Sequence, residues 1–489
     1  MNCEEPQKPQ AKDWVGLATL ALGLGMIVLD GTIVGVALPS IIADLKLNLT
    51  DAQWVNSLYS VVFAALLLSV GKVADARGRQ RIFLLGIVIF AATSLMAALA
   101  NNTSALITAR ALQGIGGAMV LPSSLSTVNA IFRGKARATA FGIWGAVMSG
   151  AAAIGPLLGG WLTTSYSWRW IFIVNIPISI IVFIFGSIFI RNTRGEAGTG
   201  FDVVGLIFSA IGFGLVIFGL IEGNSLGWWT SSAPFTLGSF TWPWEISAAP
   251  VALIIGAISI IFFLAWESLL RSTQKPLLNV SLFSIKSFSA GNVAAAMISI
   301  GEFILVFVTP LFLVSVLHLD ALQSGWVLAA MAFGAFFAGG MARNIALKLS
   351  PIKVVIIGLV LELVGIAQTI VILTHTPTAW KVAGTLAIYG FGLGLASAQL
   401  TSTVLGDVPR SLSGSASATQ STVRQLGSAT GSAIAGSILA HSIGVDFMHT
   451  TPDLFTTGTT NSLLASIIFL SLGLVATLFI ASQIKTKVK

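Results

Sequence analysis

Across 489 residues the chain is 55% hydrophobic and only 9% charged. Soluble domains carry about a quarter charged residues, so a water-soluble globular fold is excluded and a polytopic membrane protein is indicated. The formal net charge of +8 would suit nucleic acid, but its placement argues against that, and the single cysteine, Cys3, excludes an intramolecular disulfide.

The polar start reaches Lys12 and Asp13 and leads into a full-length apolar span, so the first helix is expected to direct its own insertion. Fourteen apolar runs are candidate spans: 14–41, 52–73, 82–100, 104–127, 137–163, 170–190, 203–222, 247–266, 287–317, 323–342, 353–374, 380–403, 413–440 and 460–482. The first contains LDGTIVGVALP, Leu29 to Pro39, with one carboxylate, Asp30. A charge near the middle of a span costs roughly 2.5–3.5 kcal/mol on insertion scales. Asp30 is therefore expected to face a protein interior or a wet cavity.

After span 2 comes GKVADARGRQR, Gly71 to Arg81. Gly71 and Gly78 permit a tight turn, and Asp75 with Arg77, Arg79 and Arg81 forms a charge cluster. That cluster reads either as a latch between two halves or as an ordinary basic loop. In span 4, Arg110, Gln113 and Gly114 share one helix face. Span 5 reads GAVMSGAAAIGPLLGG, Gly145 to Gly160, a small-residue face that lets another backbone approach, with Pro156 able to kink it.

The loop from about 223 to 246 holds Trp228, Trp229, Trp242 and Trp244 and no Lys or Arg, as an interfacial aromatic belt would. Glu222 beside it reads as interfacial. The stretch 267–286 is the expected hinge between halves, and PLLNVSLF within it could lie along the membrane surface. Glu302 lies in span 9, Glu362 in mid-span 11 with no role assigned, and Arg424 near the midplane of span 13. His318, His375, His441 and His449 fall on loops or span ends, so no metal site is expected. No GxxxxGK[ST] motif is present, which argues against direct drive by ATP.

With the N-terminus cytoplasmic, 21 of the 26 Lys and Arg fall on the inner side, Arg133, Lys135 and Arg137 among them. Only Lys46, Arg169 and Lys381 fall outside. This asymmetry sets both termini in the cytoplasm and explains the net charge without nucleic acid.

An internal repeat appears at an offset of 276: Gly114 and Gly116 map to Gly390 and Gly392, Gly155 and Gly160 to Gly431 and Gly436. Pro39 pairs with Pro310 at a similar offset. The expected fold is all-α, with six-helix bundles at 1–190 and 287–489 in parallel repeat and two extra helices in 191–286. By a rise of 1.5 Å per residue, Asp30 and Glu302 lie about 21–22 Å from the inner boundary, and Arg110 roughly as deep. One carboxylate from each half is thus expected in a shared cavity.

Together these stretches resemble the major facilitator superfamily, and more narrowly its fourteen-helix drug:proton antiporter-2 branch. LDGTIVGVALP resembles the first-helix signature, GKVADARGR the loop after helix 2, ARALQGIGGA the fourth-helix motif and GPLLGG the fifth-helix antiporter motif. SWRWIFIVNIP, LIEGNSLGW and VRQLGSATG also look like this branch. Two positions depart from the pattern. Ala76 stands where the loop motif usually has Arg, leaving Arg77 or Arg79 for the latch, and Gly35 stands where the first-helix signature usually has Asn.

The resemblance implies proton coupling at Asp30 and Arg110 and a conformational switch at Gly71, Asp75, Gly78 and Arg79. It implies an export-associated motif at Gly155, Pro156, Gly159 and Gly160. Depth adds Glu302 to the proton-coupling group, and substrate contacts are expected at Asp30, Glu302, Gln113 and Arg424. The expected function is proton-coupled antiport of lipophilic, cationic drugs out of the cytoplasm, by a monomer in the cytoplasmic membrane. No cofactor and no enzymatic reaction are expected. The alternatives are a dedicated exporter of one lipid, antibiotic or metabolite and, more distantly, a non-transporting sensor.

Overall fold

The computed structural model describes residues 10–132, 134–194, 202–237, 240–270, 276–409, 412–443 and 450–488. Cys3, Arg133 and His449 lie outside the described residues. Long apolar runs must satisfy their backbone groups internally, and the helix does so within one segment.

The helices are α1 (Ala11–Leu45), α2 (Leu49–Arg77), α3 (Arg79–Ala98), α4 (Thr103–Ile131), α5 (Gly134–Ser165) and α6 (Trp170–Phe189, interrupted at Val174). Then follow α7 (Val203–Leu226) and α8 (Ala248–Leu269). The last six are α9 (Lys286–Ser315), α10 (Ala321–Leu349), α11 (Pro351–His375), α12 (Ala379–Val404), α13 (Ser413–Ile443) and α14 (Pro452–Val488). Each overlaps one predicted span, in order. Among the described residues, 12 helices are long and apolar enough to cross a membrane.

Local chemistry sets the helix starts. Asn48 caps α2 by accepting from the Asp51 N–H at 2.7 Å, while the Asp51 carboxylate accepts from the Asn48 N–H at 3.2 Å. Asp320 and Gln323 repeat this box at the start of α10, at 2.7 and 3.1 Å. The internal repeat extends to close packing. A methyl group on Gly116 would stand 2.9 Å from the Gly86 carbonyl and 3.0 Å from the Phe90 nitrogen. One on Gly392 would strike the Gly358 carbonyl and stand 2.7 Å from the Glu362 nitrogen. Glu362 thus occupies in the second copy the place that buried Phe90 occupies in the first.

Helices α1–α6 pack on one another, as do α9–α14, and the two bundles meet where α5 touches α10 and α2 touches α13. The hydrogen bonds across this seam lie toward one end of the molecule. Gln53 Nε2 donates to the Ala433 carbonyl at 2.7 Å, Asn56 Nδ2 to Ser432 Oγ at 3.1 Å, and the Leu322 N–H to Thr164 Oγ1 at 3.0 Å. The α7–α8 pair lies along the same seam. Trp54 Nε1 of α2 donates to Glu222 Oε1 at 2.7 Å, and Asn224 Nδ2 of α7 donates to the Ser437 carbonyl of α13 at 2.6 Å. Glu222 is therefore a bridge to α2 as well as a residue near a helix end.

Between α7 and α8 the chain forms a small hairpin, Thr236–Leu237 against Phe240–Thr241. Trp229 and Trp244 are exposed there, while the Trp228 ring covers Gly223. The PLLNVSLF stretch forms a short 3-10 helix, Val280–Ser284, but Leu277, Leu278 and Leu282 are buried. Phe283 stays exposed, and Glu267 Oε2 accepts from the Leu278 N–H at 3.2 Å, tying the stretch to the end of α8.

Candidate functional site

Asp30 has no exposure and lies inside the first bundle. Arg110 Nη1 donates to its Oδ2 at 2.6 Å, and this ion pair is enclosed on both sides. Oδ1 accepts from Asn175 Nδ2 at 2.9 Å and from Gln113 Nε2 at 3.3 Å. Gln113 and Asn175 both also donate to Ser94 Oγ, at 2.8 and 3.3 Å. Arg110 spends its other contacts on Gln113 Oε1 at 2.8 Å, the Val55 carbonyl at 3.2 Å and the Tyr59 ring at 4.5 Å. Every group directed at the Asp30 carboxylate is a donor, the surroundings that an ionised carboxylate takes. Five helices, α1, α2, α3, α4 and α6, supply this one network.

The i, i+3 spacing of Arg110 and Gln113 delivered both side chains to Asp30 as their shared face predicts. Glu302 is not brought there. It lies in α9 and, among the described residues, makes no hydrogen bond or ion pair with the Asp30 network. The expected shared cavity fails for Asp30 because rise along a helix gives height only. The azimuth is set by partners, and those of Asp30 lie within its own bundle.

Glu302, Arg424 and Glu362 come within electrostatic reach of one another in the second bundle. Glu302 and Arg424 are half-buried, and Glu362 is fully buried. Neither Glu362 oxygen has a hydrogen-bond partner among the described residues, and the same is true of the buried Tyr389 hydroxyl.

The small residues of span 5 link the Asp30 helix to the other bundle. A methyl group on Gly155 would strike Thr32, and one on Gly159 would stand 3.0 Å from the Ile33 carbonyl, so α5 closes on α1 next to Asp30. One on Gly160 would stand 2.9 Å from Leu322 Cα, and Gly325 closes on the Pro156 carbonyl, so the same motif forms the seam with α10. Gly35 meets only Val306 of α9, at 3.9 Å.

In the α2–α3 turn, Gly78 has φ 111°, a conformation that glycine adopts freely and that strains a side chain. Gly71 lies against Pro122 of α4. Arg79 Nε pairs with Asp75 Oδ1 at 2.7 Å, and its Nη1 donates to the Ser126 carbonyl at 3.0 Å. These bonds stay within the first bundle. Arg77 and Arg81 are exposed.

Sequence reasoning missed Asn175, Ser94 and Tyr59. Asn175 stood inside a quoted motif, and its signal was a lone amide in an apolar run one residue before Ile-Pro.

The family model described as Major Facilitator Superfamily matches residues 20–202 and 202–432. The multidrug efflux pump LfrA of Mycolicibacterium smegmatis is 31% identical over 428 residues, 87% of this chain and 80% of that protein. The riboflavin transporter RibZ of Clostridioides difficile is 28% identical over 475 residues, 95% of this chain and 97% of that protein. Among solved structures, a bacterial homolog of the human lysosomal transporter Spinster superposes with a TM-score of 0.60 at 19% identity, covering 95% of this chain and 96% of that one. That likeness concerns the fold.

Proposed function

The chain belongs to the Major Facilitator Superfamily, and from that premise we propose that it exports lipophilic, cationic drugs from the cytoplasm in exchange for protons. The observation that carries this reading is the enclosed Asp30–Arg110 pair with its two amide donors. A proton arriving at Asp30 removes the charge that holds Arg110. The freed guanidinium keeps the Gln113 and Val55 oxygens and the Tyr59 ring as partners, so the pair has a second arrangement within reach. Asp30 sits on α1 where α5 closes, and α5 continues into the seam with α10. A change at the pair therefore acts on the contact between bundles, the coupling that antiport requires.

Export is supported by the drug-efflux names among relatives, and inward placement of basic residues supports cytoplasmic termini, fourteen crossings and a cytoplasmic-membrane location. The bundles at 1–190 and 287–489 are read as the rocking units and 191–286 as the inserted pair. In this reading Glu302 and Arg424 meet the substrate, Gln113 acts through Asp30, and Asp75 with Arg79 times the switch. The driving force is the proton gradient, its electrical part worth ~2.3 kcal/mol per charge per 100 mV.

A second reading, dedicated transport of one metabolite, is favoured by the end-to-end match to a riboflavin transporter. Transport into vesicles with an imposed pH gradient separates the two. The drug-exporter reading expects exchange with several cationic dyes, lost in Asp30→Asn. Exchange with one metabolite alone supports the second reading, and intact pH-driven exchange in Asp30→Asn removes the coupling role.

A further inference from the structure

Glu362 is the acid that the proposed exchange leaves unused. It lies on the α11 face that meets α12, between Gly358 and Gly365, whose missing side chains let the backbones touch. A methyl group on Gly365 would stand 2.7 Å from the Tyr389 nitrogen, and one on Gly392 2.7 Å from the Glu362 nitrogen. The carboxyl is enclosed, and among the described residues neither oxygen receives a donor.

A carboxylate in that position would be a buried charge with neither hydrogen bond nor counter-ion at contact, which costs far more than a neutral acid. A purely structural position would not need an acid, since the matching place in the first bundle is filled by Phe90. The charged and titratable groups facing it are Tyr389 from α12, Glu302 from α9 and Arg424 from α13. Between Asp453 and Lys485, α14 carries no charged residue, and α10 carries none before Arg343.

We propose that Glu362 is a second proton-binding site, loaded in the state seen here and exchanging its proton with the Glu302–Arg424 region as the bundles move. The acid loses a proton and gains a charge that Arg424 can neutralise; reprotonation returns it to the apolar α11–α12 interface. Its use in antiport rests on the exporter reading, but its detection does not.

The test is infrared spectroscopy of the purified full-length chain. At neutral pH the wild type should show a carbonyl stretch of a neutral carboxylic acid that Glu362→Gln removes and Asp30→Asn keeps. On raising the pH that band should disappear, at a more alkaline midpoint in Arg424→Ala, which loses a nearby cation, and at a less alkaline one in Glu302→Gln. A hydrophobic carbodiimide, which attacks protonated carboxyls, should label Glu362 in the wild type, so the readout survives if Glu362→Gln does not fold. No Glu362 label, a band indifferent to Glu362→Gln, or one that persists at every pH where the protein stays folded would overturn the proposal. Failure of Asp30→Asn to affect exchange would instead remove the coupling role of Asp30 while leaving these results in place.

Discussion

In the first bundle the Asp30 carboxylate meets Arg110, Gln113 and Asn175, whereas in the second Glu362 meets no donor. The two bundles share one architecture, down to the capping boxes at Asn48 and Asp320 and the glycine contacts at Gly116 and Gly392. Their polar contents differ. Gln113 of the first copy is Tyr389 in the second by the 276 offset, and the contacts of Gly116 and Gly392 match Phe90 of the first with Glu362. A repeated scaffold therefore conserves backbone approach while leaving its interior side chains free to diverge. In the first site both carboxylate oxygens have donors; in the second, neither Glu362 oxygen has one among the described residues.

That contrast predicts unequal costs of mutation. Arg110→Ala strands the Asp30 charge among two amides and should destabilise the purified protein by ~3–5 kcal/mol, seen as a lower denaturation midpoint in detergent. The double variant Asp30→Asn/Arg110→Met should recover most of that stability, because removing both charges leaves none stranded, but not transport. Equal stability of Arg110→Ala and wild type would break the comparison at its strongest point.

The all-helical fold and the order of its helices were legible because span length and hydropathy dominate in lipid. The Arg110–Gln113 face was legible from helical periodicity, and the close approach of another backbone at Gly155 to Gly160 from small-residue spacing. Asn175 was not, since its contact with Asp30 spans 145 positions and a single amide carries no periodic signal. The separation of Glu302 from Asp30 was also illegible: residue count fixes height along a helix, and only packing fixes its rotation. Glu222 read as interfacial for the same reason, its Trp54 partner being a property of packing.

At the seam, Gln53 and Gly325 hold matching places five residues after Asn48 and Asp320, yet one is a hydrogen-bonding amide and the other a close backbone approach. Gln53→Ala removes the side-chain donor to the Ala433 carbonyl, which keeps its helical partner, a loss of ~0.5–1.5 kcal/mol confined to the state in which the bundles touch. A shift of ~1.4 kcal/mol is tenfold in population, so the seam should open more often. Maleimide labelling of a cysteine placed at Asn56, in a Cys3→Ser background, should then speed up; unchanged labelling would show that this bond does not hold the end closed.

The smallest expected effect comes from the paired turns. Gly78 ends α2 at φ 111°, and Ser350 ends α10 at φ 83°, ψ 148°, a region that costs a side chain ~1–3 kcal/mol. The first copy meets the requirement with glycine; the second carries the strain. Ser350→Gly should raise the denaturation midpoint, by up to that strain less the entropy that glycine adds to the unfolded chain, a net gain of about 1 kcal/mol. Gly78→Ser should do the opposite and by more, because a side chain there would also meet Asn192. If Ser350→Gly lowers stability instead, the hydroxyl of Ser350 does work in its turn that glycine cannot, and the two turns are alike in backbone only.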